Sequence, residues 1–158
     1  MICSEQIRLA RTSDAPRIGE MSRDFIESGL GWSWTPSRVL RAIDDKSSNV
    51  VVADEGSEVI GFAVMQYFDA EARLDLFGVH PSHRRKGVGT RTIRWLEETA
   101  LVNGSGVVYL ETRLRNREAR EFYKSLGYRV VQRVPGYYKG RESAIRMGHD
   151  LWSGVPPV

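Results

Sequence analysis

The sequence predicts an α+β protein in which strands and helices follow one another along a single domain. Short runs rich in β-branched residues are separated by turn residues, and between them lie longer segments with apolar residues at helical spacing. The length of 158 residues and the hydrophobic content of 41% suit one soluble domain with a substantial core. We therefore expect a single domain over residues 1–152, followed by a loose tail over residues 153–158.

The first half of the chain is predicted to contain a strand, two helices and a β-hairpin. Ser13-Asp14-Ala15-Pro16 combines a capping residue with an early proline, and Thr35-Pro36-Ser37 has the same character, so each favours a helix start. Glu55-Gly56-Ser57 separates two β-rich runs and therefore indicates a hairpin turn. The predicted bounds are strand 6–10, helices 13–28 and 35–44, and strands 49–53 and 59–67.

The second half is predicted to alternate between strands and helices before it ends in two strands. Ile93, Leu96, Ala100 and Leu101 recur at helical spacing after a glycine-rich turn, which predicts a long helix. The predicted bounds are strand 73–80, helix 87–102, strand 107–113, helix 116–126, and strands near 128–134 and 143–150. The complete order is β-α-α-β-β-β-α-β-α-β-β, with six to seven strands and about four helices.

Cysteine content and the first residues bear on where the protein works. Cys3 is the only cysteine, so an intramolecular disulfide is impossible and a cytoplasmic location is the natural expectation. The first residues include Glu5 and lack the apolar core of a secretory signal, and no run approaches the roughly 20 apolar residues that cross a bilayer. We expect a soluble protein without a membrane partner, and the sequence leaves open whether it is a monomer or a homodimer.

The positive charge of the chain raises the alternative of nucleic-acid binding. The formal net charge is +3, and the basic residues cluster at 84–86 and at 113–120. No basic stripe is interleaved with stacking aromatic residues, so we expect no nucleic-acid partner, and a polyanionic cofactor would explain both clusters. His80, His83 and His149 do not form a ligand set, so we expect no metal.

A glycine-rich turn lies between the strand that ends near Val79 and the long helix. Its sequence is Arg84-Arg85-Lys86-Gly87-Val88-Gly89-Thr90. Gly87 and Gly89 have no Cβ, so the main chain can approach a ligand closely and direct N–H groups at it from the positive end of the helix. The turn can therefore bind a pyrophosphate, and an ordinary helix-entry turn is the alternative.

Two motifs together resemble the signatures of a known enzyme family. The turn has the spacing Arg-x-x-Gly-x-Gly, and Asn116 to Tyr128 follow the pattern N-x-x-A-x-x-x-Y-x-x-x-G-[FY]. In this order and separation the motifs resemble the GCN5-related N-acetyltransferase (GNAT) family. The resemblance implies an α/β/α sandwich around a mixed, mostly antiparallel sheet with a splayed parallel pair of strands. It also implies acetyl-CoA as the acetyl donor.

The resemblance further implies which residues contact acetyl-CoA. The glycine-rich turn would hold the pyrophosphate, and the strand before it would hold the pantetheine arm. The main-chain N–H of Val79, or one close to it, is expected to polarise the thioester oxygen. The implied cofactor contacts are Phe77, Gly78, Val79, Arg84, Arg85, Lys86, Gly87, Val88, Gly89, Thr90, Asn116, Ala119 and Tyr123.

Two residues are implied as the catalytic pair. Tyr123 occupies the signature tyrosine and would act as general acid toward the coenzyme A sulfur. The run 110–113, Leu-Glu-Thr-Arg, resembles the Leu-Glu-x-Arg setting of the ribosomal-protein-alanine acetyltransferase (RimI-like) branch, in which the glutamate, here Glu111, is the general base. The alternatives are a tyrosine packed on the sheet, and a glutamate that faces solvent or pairs with an arginine. Asn116 could cap its helix and contact the pantetheine at once.

The RimI-like resemblance favours the N-terminal α-amine of a protein or peptide as the acceptor. Trp34, Tyr137 and Tyr138 are the implied acceptor contacts, and packing roles are the alternative for the tyrosine pair. An α-amine, with a pKa of about 7.7 to 8.0, needs less deprotonation at pH 7 than lysine, with a pKa of about 10.4. Small-molecule amines such as polyamines, aminoglycosides and amino acids stay open as acceptors, as does a non-catalytic acyl-CoA-binding module.

Overall fold

The computed structural model describes residues 5–152, so Cys3 and the predicted tail over 153–158 lie outside the described residues. Within this range the chain forms four α-helices and a seven-stranded sheet, and no helix is both long and apolar enough to span a membrane. In chain order the elements are β1 (Gln6–Leu9), α1 (Ala15–Met21), α2 (Pro36–Asp44), β2 (Ser48–Glu55), β3 (Glu58–Tyr67), β4 (Glu71–Val79), α3 (Val88–Val102), β5 (Val107–Arg113), α4 (Arg117–Ser125), β6 (Arg129–Tyr138) and β7 (Glu142–Asp150).

The sheet is mixed, and its strands are ordered β1-β2-β3-β4-β5-β7-β6. The pairs β1 with β2, β2 with β3, β5 with β7 and β6 with β7 are antiparallel, whereas β4 and β5 are parallel. The parallel pairing runs from Glu71 opposite Val107 to Leu74 opposite Leu110, so it covers only the first part of each strand. The predicted mixed, mostly antiparallel sheet with a parallel pair is confirmed.

The chain divides into two compact units, of which the first contains residues up to 66 together with residues 76–96. Its main core packs α1 and α2 against the strands, and its members include Ala15, Ile18, Met21, Val39, Val50, Val52, Phe62 and Val64. Ala53 follows Val52 in β2 and, as strand alternation requires, points to the other side, where it packs with Ile60 and Val88. Helices therefore pack on both faces of β2, with α3 on the second face.

The connection between α1 and α2 is fixed by a buried carboxylate. After Met21 the helix continues as a π-helical turn over Ser22–Ile26, so the predicted helix over 13–28 is present with a change of hydrogen-bonding pattern. Glu27 then accepts hydrogen bonds from Ser22 Oγ at 2.9 Å, from the main-chain N–H groups of Ser33 at 2.8 Å and Trp34 at 3.0 Å, and from the Ser33 hydroxyl. One side chain therefore ties the end of the helix to the segment that precedes α2.

The second unit contains residues 67–75 and the chain from 97 onward. β5 alternates between buried and partly exposed residues, and Glu111 lies on its partly exposed face, opposite Arg146 of β7. On the buried face, the Tyr128 hydroxyl donates to Glu97 Oε2 at 2.9 Å, and His149 Nδ1 lies 2.8 Å from the same oxygen. This network joins α3 to β7, and the strand alternation leaves the Glu111 side chain on the opposite face.

Candidate active site

Glu111 is the candidate base, and its carboxylate is nearly buried and contacted by three side chains. Only 4% of the side chain is exposed. Oε1 pairs with the guanidinium of Arg73 and accepts a hydrogen bond from the Tyr137 hydroxyl at 3.2 Å, while Oε2 lies 3.6 Å from Arg146 Nε. Glu111 is therefore paired with arginines, as the alternative interpretation expected. Such pairing is compatible with a base role, because an incoming ammonium can take the place of an arginine at the carboxylate.

The partners of Glu111 belong to a row of alternating charges across three strands. Asp75 Oδ1 of β4 lies 3.1 Å from Arg73 Nε, and Glu111 of β5 separates Arg73 from Arg146 of β7. Beyond Arg146 the row ends at Gln132 of β6, whose Oε1 accepts a hydrogen bond at 3.2 Å. Burial disfavours the charge of Arg73, but Glu111, Tyr137 and Asp75 outweigh burial and raise its pKa. The guanidinium therefore stays charged beside the carboxylate.

The structure places both predicted acceptor tyrosines near Glu111. The rings of Tyr137 and Tyr138 meet edge to face at 4.9 Å, and the Tyr137 hydroxyl accepts a hydrogen bond from Arg73 at 2.7 Å. Burial and the negative charge of Glu111 raise the pKa of Tyr137, and burial is also the main cause of the raised pKa of Tyr138. Both hydroxyls therefore remain protonated at neutral pH, and Tyr137 keeps the proton that it donates to Glu111.

Tyr123, the candidate acid, is buried on α4. Its ring centroid lies 5.8 Å from that of Tyr128 and 5.4 Å from that of Phe122. Burial raises the pKa of the Tyr123 hydroxyl, which is therefore protonated throughout the neutral range. These ring contacts agree with the alternative interpretation, in which Tyr123 is a tyrosine packed on the sheet. The same burial makes the hydroxyl a weaker acid than a tyrosine in water, and its role as general acid stays a prediction.

The start of α4 confirms the capping role considered for Asn116. Asn116 Oδ1 accepts a hydrogen bond from the main-chain N–H of Ala119 at 3.0 Å. This N–H of Ala119 is therefore occupied by the cap. Upstream of α4, Arg113 and Arg115 lie 3.0 Å and 3.3 Å from the carboxylate of Glu142, so these two basic residues have a partner within the protein.

Two arginines tie the glycine-rich turn to the elements on either side of it. Arg84 Nε donates to the Val79 carbonyl at 3.1 Å, and Arg91 Nη2 donates to the Lys86 carbonyl at 3.1 Å. Gly87 has a φ of +83°, which favours glycine, and a Cβ there would lie 2.5 Å from Arg91 Nη1, so the arginine would have to move to admit one. Because the first N–H groups of a helix have no acceptor within it, the turn presents donors and positive charge to an anion.

The strand before the turn is tightly packed at Gly78. A Cβ on Gly78 would lie 2.8 Å from Ile26 Cδ1 and 2.8 Å from Phe62 Cζ, which gives a packing reason for glycine there. Gly78 and Leu76 are buried, whereas Phe77 and Val79 are partly buried. The contacts predicted for Phe77, Gly78 and Val79 with a pantetheine arm stay predictions.

Trp34, the third predicted acceptor contact, is part of the core of the first unit. It is 8% exposed, and the Arg38 guanidinium carbon lies 3.9 Å from its ring centroid. Its main-chain N–H donates to Glu27, and the neighbouring Thr35 caps α2 by accepting from the Arg38 N–H at 3.3 Å. The packing alternative is therefore satisfied at Trp34, and acceptor contact stays a prediction.

Comparison with known proteins identifies the class to which this fold and site belong. The model of the Acetyltransferase (GNAT) family matches residues 17–128. The chain is 30% identical over 131 residues to N-alpha-acetyltransferase RimI of Mycobacterium tuberculosis, a match that covers 80% of each protein. It is 28% identical over 115 residues to streptothricin acetyltransferase of Streptomyces lavendulae, which covers 72% of this chain and 60% of that protein. Ard1 from Thermoplasma volcanium superimposes with a TM-score of 0.82 at 26% identity, over 94% of this chain and 98% of that chain.

The chain belongs to the GNAT family of acetyltransferases. It is an N-acetyltransferase, and acetyl-CoA is its acetyl donor. The glycine-rich turn fits this donor, because a pyrophosphate needs several N–H donors and nearby positive charge at a point where no side chain blocks the main chain. The first N–H groups of α3 supply the donors, Gly87 adds no side chain of its own, and the exposed Arg85 and Lys86 supply the positive charge.

Three residues of the site were not singled out from the sequence, namely Arg73, Asp75 and Arg146. Arg73 and Arg146 each pair with Glu111 on another strand, so these pairings depend on strand register, whereas Asp75 pairs with Arg73 two residues away on β4. A signal was present, since Arg73 and Asp75 share the period-two spacing of side chains on one face of a strand. Opposite charges at that spacing indicate a polar strand face, whose side chains are expected to pair with charged residues of neighbouring strands.

Proposed function

We propose that the protein transfers the acetyl group of acetyl-CoA to the N-terminal α-amine of a protein or peptide, by direct attack in a ternary complex. The observation that carries this proposal is the nearly buried carboxylate of Glu111, which is held by a hydroxyl and two guanidinium groups on the open face of β5. The similarity to a RimI enzyme at 30% identity supports the α-amine as acceptor.

The pKa values of amines favour an α-amine as the acetyl acceptor when a single carboxylate is the base. The pKa of an α-amine, about 7.7 to 8.0, lies roughly one unit above pH 7, whereas the pKa of lysine lies more than about three units above it. Each pKa unit adds about 1.36 kcal/mol to the cost of removing the proton. Within residues 5–152, no cluster of three or more His, Cys, Asp or Glu side chains could hold a metal ion to assist the base. One carboxylate suits the easier task.

The proposed roles divide the chemistry among several side chains and one main-chain group. Acetyl-CoA supplies the thioester that the amine attacks. Glu111 accepts the proton of the attacking amine, Tyr137 and Arg73 orient its carboxylate, and Tyr123 returns a proton to the departing sulfur. A main-chain N–H at or near Val79 stabilises the charge that develops on the carbonyl oxygen.

The remaining proposed contacts divide between donor and acceptor. Residues 84–90 bind the pyrophosphate through the turn, and Asn116 and Ala119 contact the donor from the start of α4. Tyr137 and Tyr138 line the acceptor side near Glu111, where both hydroxyls are protonated. Trp34 contributes by fixing the segment before α2.

A small-molecule amine is the second candidate acceptor. The specific observation that favours it is the 28% identity to streptothricin acetyltransferase. The fold and the donor are the same in both cases, so only the acceptor separates the two candidates.

An acceptor panel tests the proposal. The purified protein is incubated with acetyl-CoA and with peptides whose α-amine is free or blocked, a lysine peptide, a polyamine and an aminoglycoside, and release of coenzyme A thiol is followed. We expect turnover on free α-amines only, and a fall of about 10²-fold or more in Glu111→Gln. Glu121→Gln removes an exposed carboxylate of α4 and serves as the matched control. Turnover confined to a small amine would replace the α-amine proposal with the second candidate.

A further inference from the structure

We propose that Arg146 selects acceptors that carry a carboxylate next to the reacting amine. The proposal rests on the proposed function, because it names the acceptor chemistry of the same site. Its basis is the row of alternating charges Asp75, Arg73, Glu111 and Arg146, which runs across β4, β5 and β7.

An acceptor that binds as an ammonium ion adds a positive charge next to Glu111 and so changes the ion pairs in this row. The ammonium competes with both arginines for the carboxylate of Glu111, which must accept its proton. Arg73 keeps a second carboxylate partner, since its Nε lies 3.1 Å from Asp75 Oδ1. Arg73 also keeps its hydrogen bond to the Tyr137 hydroxyl at 2.7 Å.

In the described part of the chain, Arg146 has no second carboxylate partner of this kind. In the part of the chain that the structure describes, its polar side-chain contacts are Glu111 at 3.6 Å and the neutral amide oxygen of Gln132 at 3.2 Å. When an ammonium takes Glu111, Arg146 loses its one carboxylate partner. A partly buried guanidinium without a counterion is unfavourable, and an acidic group on the acceptor would restore the pair.

The geometry limits where that acidic group can be. Arg146 Nε lies 3.6 Å from Glu111 Oε2, and 33% of the arginine side chain is exposed, so it can be approached from solvent. A group that contacts Arg146 while the amine contacts Glu111 must lie within about one residue of the amine. Two sources share this chemistry, namely an aspartate or glutamate side chain at the first or second residue of a peptide, and the α-carboxylate of a free amino acid.

The part of the chain that supplies α4, β6 and most of β7 has an excess of positive charge, which favours the same class of acceptor. The segment from Arg113 to Arg146 contains ten lysine and arginine residues against three glutamates. A polycationic acceptor would meet like charge there, whereas an acidic acceptor would be attracted to it, and this attraction weakens as salt is raised.

The test compares acceptors that carry either a carboxylate or the corresponding amide, and each rate is divided by the unprotonated fraction of the amine, because a nearby carboxylate raises the pKa of the amine. The pairs are Ala-Asp and Ala-Asn peptides, Asp-Ala and Asn-Ala peptides, and alanine and alaninamide. We expect kcat/KM to be about tenfold higher for the acidic member of at least one pair, the size of a charge-assisted contact. Arg146→Gln should reduce this ratio to about one, Arg146→Lys should keep part of it, and Arg146→Glu should invert it.

Arg133→Gln is the matched control, because Arg133 lies next to Gln132 on exposed β6 and opposite Ile145 rather than Glu111 or Arg146. It removes the same charge and should leave the ratio unchanged. A purely structural role of Arg146 would lower both rates of a pair equally and leave the ratio unchanged, which overturns the proposal. Equal rates on acidic and amide peptides overturn it while the α-amine function stands. A preference seen only for alanine over alaninamide supports selection by Arg146 and identifies a free amino acid, rather than a peptide, as the acceptor.

Discussion

At the scale of single residues, the contacts of Glu111 bear on its proposed role as a base, because the carboxylate is paired with arginines. Arg73, at 39% exposure, lies at the solvent side of its pair with Glu111 and has Asp75 as a second carboxylate partner. An incoming ammonium can therefore replace the arginine at Glu111 without leaving the guanidinium unpaired. Tyr137 keeps its hydrogen bond to the carboxylate and limits its rotation during that exchange.

Tyr123→Phe is expected to slow the enzyme without abolishing its activity. Burial raises the pKa of the hydroxyl, so it donates its proton less readily, while a thiol with a pKa of about 8.5 leaves as a thiolate without much help. We predict a fall in kcat of at most about 10²-fold, the lower end for general acid catalysis, with little change in KM for acetyl-CoA. Steady-state thiol release measures both constants. Tyr109→Phe, which deletes a hydroxyl from β5, is the control, and an unchanged kcat in Tyr123→Phe would leave Tyr123 with a packing role.

Candidate site residues could be named where a motif carries them, but their contact partners could not be predicted. The Leu-Glu-x-Arg run pointed to Glu111 and the Tyr-Tyr pair pointed to Tyr137, and the structure brings these two residues into contact. Arg73 and Arg146 were missed, because side chains pair across strands according to register. Register depends on bulges and on the order of strands, which the local pattern does not encode.

At the scale of elements, Gly87 tests the glycine-rich turn. Gly87→Ala places a Cβ 2.5 Å from Arg91 Nη1 at a φ of +83°, so either the turn or Arg91 must move. We predict that Kd for acetyl-CoA rises by about tenfold, since a left-handed conformation alone costs a residue with a Cβ about 1 to 2 kcal/mol. Isothermal titration measures Kd.

Gly104→Ala is the matched control for this variant. Gly104 has a similar φ of +90°, but a Cβ there meets nothing within 4 Å, and the residue follows α3 at its far end. It should lower stability by a comparable amount and leave Kd for acetyl-CoA unchanged. Equal Kd values in wild type and Gly87→Ala would contradict a pyrophosphate site at the turn.

Glu27 tests the connection between α1 and α2. Burial raises its pKa, but hydrogen bonds from Ser33, Trp34 and Ser22 outweigh burial and hold the pKa below its ordinary value. A lowered folded-state pKa means that this stabilisation is complete above the ordinary glutamate pKa of about 4.3 and is lost as the pH falls through the folded-state pKa.

We predict that Glu27→Gln lowers the free energy of unfolding by about 1 to 3 kcal/mol at pH 7, because donors to the carboxylate lose a charged acceptor. The variant should also lose less stability than wild type between about pH 5 and about pH 3. Urea unfolding across that range measures both effects, with Glu20→Gln, an exposed carboxylate of α1, as the control. A variant as stable as wild type at pH 7 would contradict the claim that Glu27 stabilises the connection between α1 and α2.

The elements themselves were largely predictable, because their ends carry local signals. Pro36 and the Thr35 cap mark the start of α2, and Asn116 marks the start of α4. The π-helical turn over Ser22–Ile26 was not predicted, because no glycine or proline interrupts that run and the extra residue is accommodated by the surrounding packing.

At the scale of the whole molecule, the order of elements and two motifs were enough to predict the family fold. The division into two compact units was not predicted, since both β4 and α3 contribute residues to each unit. Such a division follows from long-range strand pairing, whereas the sequence shows no linker or change in composition. The expectation of a single domain over residues 1–152 stays a prediction.

The central claim is that Glu111 removes the proton of an α-amine, and the pH dependence of one variant tests it most directly. We would measure kcat/KM for an alanyl peptide with wild type and Glu111→Gln from about pH 6 to about pH 9. Glu111→Gln should be slower by about 10²-fold or more near pH 7, and this deficit should shrink as the amine loses its proton above about pH 8. Equal rates near pH 7, or a deficit that does not change with pH, would contradict the assignment of Glu111 as the base.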